Sequence, residues 1–144
     1  MTRNGRQNGE IEKTVLVVED EDAIRRIICR ICKGLGLHRI LDAANVESAL
    51  KLLNRERIDL VITDLNMPDA TGLAIVKVVR QAKPHVPVLV FSGSYNETER
   101  KRLLAAGADM VLRKSADLLP LEAAIRELLQ IGPRRKPGPS SSKG

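Results

Sequence analysis

Aromatic side chains are nearly missing from this chain. Its 144 residues include no Trp, one Phe (Phe91) and one Tyr (Tyr95). A core made without rings has to be aliphatic, which suits Val- and Ile-rich parallel strands covered by Leu- and Ala-rich helices. The same scarcity argues against nucleic-acid modules that stack bases on aromatic platforms. Long apolar runs are absent too: none approaches the roughly 20 residues of a membrane span. Residues 1–9 lack the apolar centre of a secretion signal, so a cytoplasmic location is the expectation.

Cysteine is down to two, Cys29 and Cys32, spaced as C-x-x-C. With no second pair and neither His nearby in sequence, they cannot complete a structural zinc site. A thioredoxin-like pair would open a helix after a strand. These two lie inside a helix whose apolar stripe is Ile24, Ile27, Ile28, Ile31 and Leu35, with Cys32 at its edge and Cys29 well outside it. A structural role is expected for both.

What remains is ordinary for a single soluble globular domain: 43% hydrophobic and 29% charged residues. The net charge of +6 sits mostly at the ends. Residues 133–144 hold Arg134, Arg135, Lys136 and Lys143 with no acid, and residues 1–13 add a net +1. The part between is nearly neutral. The expected organisation is a flexible N-terminal segment over residues 1–13, a folded domain over 14–131 and a basic, Pro/Gly/Ser-rich disordered tail over 132–144.

Within that domain, apolar runs and turn formers alternate. Strands are expected at residues 14–18, 38–41, 58–63, 88–91 and 109–112. Helices are expected at 22–35, ended by Gly34 and Gly36; at 46–54, capped by Asn45; and at 72–81, broken by Pro84 and Pro87. A fourth helix opens at the Asn96/Glu99 capping box and runs through Ala106, and a fifth covers 121–131. Five strand–helix alternations with short connections predict an α/β fold, a doubly wound parallel sheet of five strands with five helices on its faces; the order taken for it is the flavodoxin-like 2-1-3-4-5, in which strands one and three are neighbours.

In such a sheet the carboxyl ends of the strands share one edge. There the first strand delivers Glu19 and Asp20, the third Asp64, the fourth Ser92, and the fifth Arg113 and Lys114. With strands one and three adjacent, Glu19, Asp20 and Asp64 crowd together and repel unless a cation sits among them. Hard oxygens without a His or Cys cluster point to Mg²⁺. Lys114 and the Ser92 hydroxyl, placed across from them, suit a phosphoryl group. Each residue alone has an ordinary role as turn former, helix starter or solvated lysine; their joint placement points to a site. The chemistry allowed is attack by the Asp64 carboxylate on phosphorus, with no catalytic base required.

These motifs resemble the response-regulator receiver domain of two-component signalling, over roughly residues 14–130. Val15-Leu16-Val17-Val18-Glu19-Asp20 resembles its acidic-pair motif, and the run from Asp64 to Gly72 its phosphoacceptor loop. Phe91-Ser92-Gly93 and the run from Ala106 to Lys114 resemble its fourth- and fifth-strand signatures. The resemblance implies that Asp64 accepts a phosphoryl group from a histidine kinase or histidine phosphotransfer protein. It implies Mg²⁺ held by Asp20, Asp64, Glu19 (directly or through water) and the Asn66 backbone carbonyl. It also implies a switch in which Ser92 swings toward the phosphoryl group and reshapes the surface of the fourth helix, fifth strand and fifth helix. The side chains of Asn66 and Ser94 would tune the lifetime of the acyl phosphate. Such a protein is a signalling phosphoacceptor that assists only its own phosphorylation and dephosphorylation.

Two positions depart from the family pattern. Val111 stands where a switch Tyr or Phe is usual, and Ser115 where a Pro follows the lysine. Because a non-prolyl cis bond costs roughly 2.5–4 kcal/mol, a trans Lys114–Ser115 bond is expected. The expected output is a stand-alone receiver that docks on a downstream protein target or relays phosphate, with a homodimer as one form. Alternatives are a DNA- or membrane-associating regulator using the basic tail, or a receiver fragment of a longer protein.

Overall fold

Every residue from Val15 to Val18 is buried, and successive side chains take opposite sides of the strand. Val15 and Val17 enter one apolar cluster, Leu16 and Val18 the other. The computed structural model describes residues 6–7 and 10–132. Its parallel strands are β1 (Glu10–Val18), β2 (Leu37–Ala43), β3 (Leu60–Thr63), β4 (Val88–Ser92) and β5 (Met110–Arg113), in the spatial order β2-β1-β3-β4-β5. That is the flavodoxin-like order expected. A two-residue strand, Arg6–Gln7, adds an antiparallel pair to the start of β1.

The helices are α1 (Asp22–Gly34), α2 (Val46–Arg55), α3 (Gly72–Ala82), α4 (Glu97–Ala106) and α5 (Leu119–Leu129). One face of the sheet packs against α2, α3 and α4 through Ala49, Leu53, Ile75, Val76, Val79 and Leu103. The other packs against α1 and α5 through Ile28, Cys32, Leu121, Ala124, Ile125 and Leu129. Caps close the helices as the sequence suggests. The Asn45 side chain accepts from the Ser48 N–H at 2.7 Å, and the Asn96/Glu99 capping box is complete. Gly36, at φ 93°, turns the chain after α1.

Several expectations need correcting. The first strand begins at Glu10, four residues before Thr14, so residues 10–13 belong to the sheet. They do so because Ile11 is buried in the α1/α5-side cluster and its N–H donates to the Gly36 carbonyl. The last helix starts earlier, with Pro120 in its first turn, and stops at Leu129, where Gln130 takes a left-handed φ of 58°. In α1, Ile27 is 41% exposed rather than inward, while Cys32 is fully buried. The helix lies on the sheet along the Ile28/Cys32 line, which rotates Ile27 toward solvent. The Lys114–Ser115 bond is trans, as expected. The basic tail lies outside the described residues, apart from Gly132.

Candidate functional site

Sheet register brings the acids together. Val18 pairs with Thr63, so the next residues, Glu19 and Asp64, leave the sheet side by side. The Asp64 N–H still donates to the Val18 carbonyl at 3.1 Å. On the other flank Ser92 pairs with Arg113, and the Lys114 N–H donates to the Ser92 carbonyl at 2.8 Å. Ser92 is therefore the last residue of β4 rather than the first beyond it.

Glu19, Asp20 and Asp64 each offer a carboxylate oxygen, all within 4.8 Å of one another. Among the described residues this is the one group of three or more metal-ligating side chains so arranged. Their surroundings differ sharply. Asp20 is exposed, Asp64 is 6% exposed and Glu19 only 1%. Asp64 Oδ1 accepts from the Leu65 N–H at 2.7 Å and lies 3.5 Å from Lys114 Nζ, whereas Oδ2 has no hydrogen bond among the described residues. A carboxylate with one oxygen fixed and the other free is a nucleophile or ligand held ready.

Lys114 lies against two of the acids. Its Nζ donates to Glu19 Oε1 at 3.0 Å, and the Glu21 N–H donates to Oε2 at 3.2 Å, so both Glu19 oxygens are engaged. Glutamate has one more methylene than aspartate, and that reach lets the buried Glu19 carboxylate meet the lysine. Burial pushes the Glu19 carboxyl above the usual carboxylate range, opposed by the Lys114 and Glu21 hydrogen bonds. The buried acid needs this lysine.

An open pocket of about 450 Å³ lies over the group, lined by Asp20, Asp64, Asn66, Gly93, Ser94 and Lys114 among others. Ser92 is just beneath it and fully buried. Among the described residues its hydroxyl makes two long contacts alone, 3.4 Å to the Ser94 carbonyl and 3.5 Å from the Ser94 N–H, and so is weakly held. Val111 sits on β5, away from the pocket, partly buried against the α2–α4 side.

Other residues support the site without being visible in the sequence. Arg25 donates to the Glu19 carbonyl at 2.9 Å, to Asp22 at 2.6 Å and to Asp42 at 3.0 Å, tying the acidic loop to α1 and β2. Asp69, at the tip of the small ladder formed by Asn66–Met67 and Ala70–Thr71, accepts from the Val46 and Glu47 N–H groups at 3.0 and 3.1 Å. These backbone bonds at the start of α2 hold its carboxyl below the ordinary range. The first is hinted at only by an arginine three residues after Asp22. The second joins segments more than twenty residues apart and has no local signal.

The carboxylates, the lysine and the buried serine at the carboxyl edge of a 2-1-3-4-5 sheet define a class of signalling domain. A family model described as the response regulator receiver domain matches residues 15–126, and the chain belongs to that family. It is 36% identical over 116 residues to the KDP operon transcriptional regulatory protein KdpE of Escherichia coli, covering 81% of this chain and 51% of the relative. It is 34% identical over 116 residues to the response regulator protein PilR of Pseudomonas aeruginosa, covering 81% of this chain and 26% of that one. The chain thus spans about half or less of the length of these curated relatives. Among solved structures, the response regulator protein TrrA of Thermotoga maritima in complex with Mg²⁺-BeF superposes with a TM-score of 0.73 at 30% identity, covering 81% of this chain and 98% of that one. A receiver domain protein from Methanospirillum hungatei, at 24% identity and a TM-score of 0.77 over 82% and 94% of the two chains, shares the fold.

Proposed function

We propose that Asp64 is the phosphoacceptor of this receiver domain and takes its phosphoryl group from a histidine kinase or histidine phosphotransfer protein. The observation that carries this reading is the Asp64 carboxylate itself: buried, one oxygen anchored by the Leu65 N–H, the other unbonded beside two acids and a lysine. Asp64 Oδ2 attacks phosphorus, the P–O bond forms as the donor's P–N bond breaks, and the electron pair leaves with the imidazole nitrogen. Lys114 and Ser92 then bind the added phosphoryl oxygens, Lys114 by leaving Glu19 and Ser92 by rotating away from Ser94.

The donor set of carboxylate oxygens suits Mg²⁺, with Asp20, Asp64, Glu19 and the Asn66 carbonyl as its holders. When bound, the ion neutralises charge on the acids and on the transferring group. The domain, from the start of β1 at Glu10 to about residue 131, acts as a switch rather than as an enzyme on other molecules. Its output is read by a downstream protein on the surface of α4, β5 and α5, with homodimerisation through α4 as one form of that output. No helix among the described residues is long and apolar enough to cross a membrane, and the proposed location is cytoplasmic.

The test is direct. Incubation with Mg²⁺ and acetyl phosphate should add one phosphoryl group by intact mass, and Asp64→Asn should add none. Equal labelling of wild type and Asp64→Asn, or none of wild type, would defeat the reading. Salt-dependent DNA binding lost on deleting residues 133–144 would support the tail-based alternative instead.

A further inference from the structure

We infer that Tyr95 carries the state of Asp64 to the outer side of α4 and β5; the inference rests on the phosphoacceptor reading above. Tyr95 is bound to β5 in three ways. Its hydroxyl donates to the Val111 carbonyl at 3.4 Å, and its ring centroid lies 4.1 Å from the Arg113 guanidinium carbon. Arg113 Nη2 also donates to the Tyr95 carbonyl at 3.0 Å. The ring is half-buried against the apolar cluster on the α2–α4 side.

Both attachments lead back to the site. Arg113 directly precedes Lys114, whose Nζ now lies between Glu19 and Asp64. Ser94 directly precedes Tyr95, and its backbone holds the Ser92 hydroxyl by two contacts at the weak end of hydrogen-bond distance. A phosphoryl oxygen on Asp64 offers both Ser92 and Lys114 a charged acceptor, stronger than either long contact. Rotation of the hydroxyl releases Ser94, and the lysine's shift moves the end of β5. The tyrosine, bonded to both segments, cannot keep its hydroxyl contact and its stack unchanged. The Tyr95 hydroxyl bond is itself long, so little opposes its release.

The chain reports on itself, because Tyr95 is its one tyrosine and there is no tryptophan. With the full chain in Mg²⁺ and acetyl phosphate, tyrosine emission and intact mass are followed on the same sample. Emission should rise in proportion to the phosphorylated fraction as the ring leaves the guanidinium and the carbonyl. Arg113→Gln should start near the raised level and change little. Ser92→Ala, compared with wild type at equal phosphorylated fraction, should lose most of the rise. Constant wild-type emission while the phosphoryl group accumulates would overturn the inference and leave the phosphoacceptor reading standing. So would an undiminished response in Ser92→Ala. Absence of any phosphoryl uptake would overturn both.

Discussion

Gly72→Ala tests whether close packing behind Asp64 matters to its chemistry. Gly72 opens α3, and a Cβ there would lie 2.3 Å from Leu65 Cδ2 and 3.0 Å from Leu65 Cα. The side-chain tip could turn aside, but Leu65 is buried and its Cα belongs to the segment that carries Asp64. Gly72 has no positive φ, so the obstacle is steric. Overpacking of this kind costs about 1–3 kcal/mol. Replacing a glycine in a helix returns about 0.5–1 kcal/mol. The midpoints of these ranges leave a loss of about 1 kcal/mol, or a fall in Tm of roughly 4 °C for a domain of this size. Pushing Leu65 also disturbs the 2.7 Å bond from its N–H to Asp64 Oδ1. Phosphoryl uptake should slow roughly tenfold, since displacements of an ångström or less near reacting atoms have such effects. Gly34→Ala is the matched control: nothing lies within 4 Å of its added carbon and it is helical. It should be neutral or stabilise by about 0.5–1 kcal/mol. Urea unfolding and mass-followed uptake measure both. A Gly72→Ala protein as stable and as quickly phosphorylated as wild type would refute the argument, as would a larger loss in Gly34→Ala.

Further outcomes follow from the arginine, lysine and cysteine side chains. Arg80 donates to the Pro84, Val86 and Gly107 carbonyls and to Asp109, tying α3 to the loops that lead into β4 and β5; Arg80→Ala should lose about 2 kcal/mol in urea unfolding, with no recovery in Arg80→Lys. Lys114→Gln leaves Glu19 and Asp64 uncompensated and should cost about 3 kcal/mol in EDTA, a deficit that Mg²⁺ narrows; an unchanged Tm in EDTA would contradict the assigned pairing. Burial pushes the Cys32 thiol up to about 12 from an ordinary 9.0, so the folded state holds that proton more tightly. Its contribution is therefore complete below pH 9.0 and declines as pH rises toward 12, which alkaline urea midpoints detect and Cys32→Ala removes. At neutral pH a thiol reagent should modify Cys29 alone until the protein unfolds.

The elements of this domain were legible because their signals are local. β-Branched runs, the Asn45 and Asn96 caps and the glycine after α1 act within a few residues of where they stand. Right-handed crossovers and short connections limit the sheet to a few doubly wound orders, and the flavodoxin-like one assumed is the one found. Once order was known, Glu19, Asp20 and Asp64 had to meet at one edge. Errors arose where packing decides. Residues 10–13 look like a polar lead-in, yet Ile11 finds the sheet and carries its neighbours with it. Ile27 fits the apolar stripe of α1 by periodicity, but the seating of the helix on the sheet leaves it outside.

The partners inside the site were a tertiary matter throughout. Nothing near Lys114 announces that Glu19, 95 residues away, accepts its hydrogen bond, nor near Asp69 that its carboxylate caps α2. The same holds for Tyr95, whose stack depends on β4 and β5 being neighbours in a definite register. The sequence by itself determined the strands, the helices and the chemical groups delivered to the edge, because backbone preference and hydrophobic periodicity are properties of short segments. Which charge meets which was decided only in the folded chain. A hydrogen bond acts over about 3 Å, and only the assembled sheet brings such distant residues that close.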